Sequence, residues 1–261
     1  MNVRGESPTA VESALGHERA FVVAGLVGVS LVAWVYLISE AETFHRAGVG
    51  LPRMELWSSG DFVLVFLMWS IMMVAMMVPS ASPMVLTYAT IRRKQHPDEG
   101  AFGATGAFLL GYVILWTAFS ALATAAQWGL QRAALISAAG ESTNAVFAGG
   151  LLLVAGIFQW TPWKRACLTR CRSPFLFIMT SWRDGTRGAL MMGLEHGVFC
   201  LGCCWALMAL MFLAGVMNIF WLVALSLFVL VEKVIPAGDL VGRLAGAGMM
   251  GWGLFLIRLG I

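Results

Sequence analysis

Of the chain's 261 residues, 59% are hydrophobic and 12% are Asp, Glu, Lys or Arg, whereas an ordinary soluble domain carries about a quarter charged residues. That imbalance excludes a water-soluble globular domain and points to a polytopic membrane protein. The formal charge of +3 is small, and no basic patch is interleaved with aromatic residues, so nucleic acid is not an expected partner.

Residues 1–20 are mixed polar and read as a cytoplasmic N-terminal tail, and 21–261 as one transmembrane helical domain. Apolar runs at 21–38, 62–78, 101–122, 145–160, 188–214, 218–231 and 240–257 approach the ~20 residues needed to cross a ~30 Å hydrocarbon core. The fold class is therefore all-α, a transmembrane bundle of six or seven helices, the fourth short and the last glycine-rich. The first run exceeds a secretory h-region and no A-x-A site follows it, so it is expected to be retained. Pro79 and Pro83 follow the second run; either the helix ends there or it kinks and continues.

Lysine and arginine set the orientation. Arg92, Arg93 and Lys94 lie after the second run, and Lys164, Arg165, Arg170, Arg172, Arg183 and Arg187 lie in a basic segment at 161–187 after the fourth. Reading 161–187 as a cytoplasmic loop places the N-terminus inside, in the inner (plasma) membrane of a bacterium. Small residues at four-residue spacing, such as Gly193 and Gly197 or Gly242 and Gly246, suit close helix packing. His17, His45 and His96 read as solvated surface residues, and Glu232 with Lys233 as a snorkelling or locally paired couple.

The chemistry concentrates in HGVFCLGCCW, residues 196–205. At about 100° per residue, with His196 at zero, Met192 falls near −40°, Cys203 near −20°, Cys200 near +40°, Met211 near +60° and Cys204 near +80°. One stripe thus carries the soft donors, and an ionisable residue at membrane depth marks a functional site by default. Thiolate and thioether prefer Cu(I), while imidazole also suits zinc or iron. On the second helix Met68, Met72 and Met76 form a drifting stripe, a thioether ladder giving a soft cation weak, multiple sites. Any one Cys or Met can instead pack as a plain hydrophobe. Cys167 and Cys171, four apart beside Lys164, Arg165, Arg170 and Arg172, read as a cytoplasmic port for the same metal, since cytosolic thiols stay reduced.

With its blocks MWSIMMVAMMVPSASPM, TPWKRACLTRCRSP and SWRDGTRGALMMGLEHGVFCLGCCWALM, the chain resembles a bacterial domain-of-unknown-function family of predicted metal-binding integral membrane proteins, some members of which are labelled copper chaperone. The resemblance implies metal handling through Cys167, Cys171, His196, Cys200, Cys203, Cys204 and the second-helix methionines.

The leading reading is an integral membrane binding protein for a soft transition metal, Cu(I) foremost with zinc or haem iron behind it, that delivers or translocates copper. Candidate ligands are His196, Cys200, Cys203, Cys204, Met72, Met76, Met192, Cys167 and Cys171. The implied partners are the lipid bilayer, the metal ion and a metallochaperone or metalloenzyme. No nucleotide-binding loop, ATPase aspartate motif or soluble catalytic domain is visible, so primary active transport by this chain alone is not expected, and the chain is read as a non-enzyme with thiol-redox activity as the alternative. The competing readings are a membrane thiol oxidoreductase cycling Cys200 and Cys203, haem ligation by His196 with a methionine, and a non-catalytic assembly partner of a metalloenzyme complex.

Overall fold

The computed structural model describes residues 10–47, 57–95 and 101–260. Residues 1–9 of the expected tail, Arg53 and His96 lie outside the described residues, as do the side chains of His17 and His45. The described chain forms α1 (Ala10–Ala47), α2 (Ser59–Gln95), α3 (Ala101–Arg132), α4 (Ala145–Trp160), α5 (Pro162–Arg172), α6 (Pro174–Ser181), α7 (Gly185–Ala209), α8 (Met211–Ala214), α9 (Ile219–Val234) and α10 (Gly238–Gly260). Five of these helices are long and apolar enough to cross a membrane, and six if the bent pair α4–α5 counts as one span. Their outward faces are apolar, as at Val32, Leu64, Leu122 and Leu244, because backbone groups are satisfied inside each helix and only apolar side chains suit lipid.

Helix α2 continues through both prolines to Gln95. Pro79 has no N–H to give the carbonyl four residues back, which is Ala75; that oxygen instead accepts the indole N–H of Trp34 on α1 at 3.0 Å. The Ser82 hydroxyl donates back to Val78 at 3.1 Å, and Met77 O accepts from both Ser80 and Tyr112 (2.9 and 3.2 Å). Side chains from three helices thus support the proline segment.

The break between α4 and α5 has a local cause. Thr161 is extended (φ −71°, ψ 143°), as a residue before proline prefers, and caps α5 by accepting from Lys164 N at 3.2 Å, with Pro162 following at the first helical position. The bend is 67°, and it turns α5 inward against α7. The basic segment 161–187 is therefore not an open loop: it holds α5 and α6, and its Lys164, Leu168 and Cys171 are buried.

Lys164 explains how a basic helix can lie there. Its ammonium donates to both carboxylate oxygens of Glu232 on α9 at 2.7 Å and to Gln159 Oε1 on α4, and both charged side chains are almost fully enclosed, at 3% and 2% exposure. On α10, Gly242 leaves the room this cluster needs, because a Cβ there would collide with Glu232 Oε1. Arg172, at the end of α5, caps the α9–α10 turn through the Ile235 and Pro236 carbonyls (2.5 and 2.7 Å).

Close backbone contact joins α3 to α7. A Cβ at Gly193 would strike the Phe108 carbonyl oxygen, and one at Gly111 the Leu190 carbonyl oxygen, so both positions require glycine for packing.

Gly193→Ala is expected to destabilise the bundle by about 1–3 kcal/mol, the cost of overpacking, whereas Gly106→Ala, with nothing within 4 Å of the added methyl, should leave thermal unfolding in detergent unchanged. Glu232→Ala strands the Lys164 ammonium and should cost about 3–5 kcal/mol. The double variant Lys164→Met/Glu232→Leu should recover most of that loss in the same thermal-unfolding assay.

Candidate metal centre

In the middle of α7, Cys200, Cys203 and Cys204 are all buried at 1% exposure or less. The Cys203 and Cys204 thiols each donate to the Cys200 carbonyl at 3.0 Å, the back-bond a short polar side chain makes inside a helix. From α5, the Cys171 side chain reaches Cys200 and Cys203, so four thiols from two helices adjoin. All five cysteines are free thiols. Cys167 stands at the rim, half-buried, with Sγ against Gly202, whose missing side chain leaves it space.

Two further groups converge on Cys200 Sγ that the residue pattern did not assign to it. Lys233 Nζ donates to it at 3.0 Å and to Ser80 Oγ at 2.9 Å, and the Tyr112 hydroxyl lies 3.1 Å away. Lys233 is 8% exposed and Glu232 2%, so the adjacent pair neither snorkels nor pairs with itself. About 100° of helical rotation between neighbours sends Glu232 to Lys164 and Lys233 to Cys200. The available signal was the charge itself, since a lysine at membrane depth needs an inward partner.

His196, one turn before Cys200, is also buried. Its ring stacks on Tyr112 and Phe108 with centroids 5.5 and 6.1 Å away and meets Phe177 edge-on at 5.5 Å. Its Nδ1 has no hydrogen-bond partner among the described residues.

The predicted donors thus divide into groups. Cys171, Cys200, Cys203 and Cys204 share one continuous buried cluster with Met72 and Met76 of α2. Met192 belongs to a different cluster, packed with Met84, Phe108 and Phe177. The physical reason is distance, because Met192 and Cys204 are twelve residues apart, about 18 Å along the axis. Cys171 meets the stripe inside the bundle, not as a separate port.

The donor chemistry suits Cu(I), which soft sulfur ligands select over harder ions. The arrangement is not a closed cage: among the described residues no three His, Cys, Asp or Glu side chains gather as a ready-made site. Cys203 and Cys204 both donate to the Cys200 carbonyl.

A family model described as "PpoB2: Copper chaperone" matches residues 66–256, nearly three quarters of the chain, from the methionine stripe of α2 through α10. No curated protein and no solved structure matches. The match spans every cysteine, the methionines of α2 and the Lys233 that meets them, and the chain belongs to this copper-chaperone family.

Proposed function

We propose that the protein takes up Cu(I) as cargo within the bilayer and delivers or translocates it, with Cys200 as the central ligand. Cys171, Cys203 or Cys204 supply further sulfur, and Met72 and Met76 lie alongside. The observation that carries this reading is the meeting of four thiols from α5 and α7 at the buried centre of an apolar bundle. Thiols there are shielded from water, and a soft ion is the cargo they discriminate for. His196 borders the cluster and shapes it through the Tyr112 ring rather than forming its core.

The basic residues support an orientation in which the ends of α2 and α7 bearing Arg92–Lys94 and Arg183–Arg187 face the cytoplasm of a bacterial cell. The chain is proposed to act without catalytic turnover. A thiol oxidoreductase built on Cys200 and Cys203 is the weaker alternative, because exchange requires access to a reactive sulfur and both residues are at 1% exposure or less. The chain's delivery partner would be an apo-metalloenzyme or a soluble metallochaperone.

Anaerobic titration of the detergent-purified chain with Cu(I) against a competing chelator tests the assignment. Cys200→Ala is expected to lose high-affinity binding, by at least about 100-fold. His196→Ala should weaken it only about 10-fold, the scale of a supporting group. Equal affinity in wild type and Cys200→Ala would refute the central role of Cys200.

A further inference from the structure

The burial that suits the thiols to a soft ion also isolates them from both aqueous faces, so cargo needs a route. At one face of the bundle, the ends of α1 and α8, the 133–144 connection and the start of α9 enclose a cavity of about 540 Å³, whose lining includes Glu42, Glu141, Met217 and Asn218. This is the face opposite Arg92–Lys94: Trp57 just before α2 hydrogen-bonds Gln131 at the end of α3 (2.9 Å), and Glu141 bridges to Ala214.

Met217 is 7% exposed and projects from the turn made by Gly215, whose φ of +96° suits glycine. Below it, Met211 and Met208 have no exposed surface and belong to the same continuous cluster as Met217, Cys204 and Cys200. Met208, Cys204 and Cys200 follow at four-residue spacing, successive turns of one helix face with about 6 Å between them. Helix α2 borders this column, since Trp69 packs on Phe212 at 5.5 Å and Met68, Met72 and Met76 are in the same cluster.

We propose that Met217, Met211 and Met208 form a thioether path that carries a soft monovalent cation between the cavity at the 133–144 connection and the Cys204–Cys200 sulfurs. This rests on the copper reading above and adds a route and a mouth to it. Thioethers fit the task because they are soft and uncharged. A cation passes over a series of such weak sites without being trapped, as conduction requires, and its strong ligands wait at the end. The Glu141 carboxylate at the mouth raises the local concentration of cations.

The test uses Ag(I), a soft monovalent probe, on the full-length chain carrying 13C-methyl methionine, with each signal assigned by a Met→Leu substitution of nearly equal volume. Once the thiols are filled, the Met208, Met211 and Met217 methyl signals should shift, while those of Met179 and Met191, which are 63% and 42% exposed on the outer surface, should not. Met211→Leu/Met217→Leu should slow loading of the thiols about tenfold, with final stoichiometry unchanged. Unmoved signals for the three methionines, alongside intact Cys200-dependent uptake, would overturn the path and leave the copper reading standing. Equal shifts at Met179 and Met191 would overturn it too. Absence of any Ag(I) uptake would remove both the path and the function on which it rests.

Discussion

Two adjacent charges at the end of α9 hold the interior of this bundle together. Glu232 receives Lys164 from α5 beside Gln159 from α4, in space left by Gly242 on α10. Lys233 reaches the opposite way, to Cys200 on α7 and Ser80 on α2, with Tyr112 of α3 on the same sulfur. Helix–helix association in lipid has no hydrophobic drive of its own, and a charge in the hydrocarbon region is tolerated only where it is paired inside the protein. The pair thereby places six other helices relative to α9. It also places the thiols, because α5 can lie against α7 only while Lys164 is neutralised, and α5 is what brings Cys171 to Cys200.

The same rule of internal satisfaction governs the methionine helix. A proline at 79 leaves the Ala75 carbonyl without its helical donor, and in lipid no water replaces it. Trp34 supplies the donor, which fixes α1 against the proline segment of α2. Ser80 sits one residue past that proline, and its hydroxyl both donates to Met77 O and accepts from Lys233. The proline segment therefore serves the site, since there Ser80 of α2 meets the cation at Cys200.

Much of this was legible in the residue pattern. The apolar runs mark the five long spans, the period of α7 puts Cys200, Cys203 and Cys204 on one stripe, and α2 carries its methionines inward as the spacing of Met68, Met72 and Met76 implies. What the pattern did not disclose depends on contacts between residues far apart in the chain. Lys233 is 33 positions from Cys200 and 153 from Ser80, and a Glu-Lys couple at a helix end resembles a snorkelling pair until its neighbours are known. Lys164, in a basic segment, looks solvated unless the carboxylate 68 residues away is in view. Met192 is the converse case, correctly placed on the stripe yet separated from the cysteines by depth, which angular periodicity ignores.

If the buried sulfur cluster holds an ion as proposed, the placement of Lys233 bears on its release. An ammonium 3.0 Å from Cys200 Sγ occupies the neighbourhood a bound cation would take, so on the proposed copper reading cargo and lysine would compete for the same sulfur. Strong thiol ligands alone would favour capture over release, whereas a tethered cation that returns to Cys200 as the ion leaves lowers the cost of leaving the sulfur bare. Lys233 is held close by Ser80, and Glu232, the nearest carboxylate in sequence, is already engaged by Lys164. The lysine therefore keeps Cys200 as its partner instead of forming a carboxylate pair that would withdraw it from the site. On the proposed copper reading, sulfur would set the affinity and this cation the reversibility, and both would depend on the two charges that hold the helices in place.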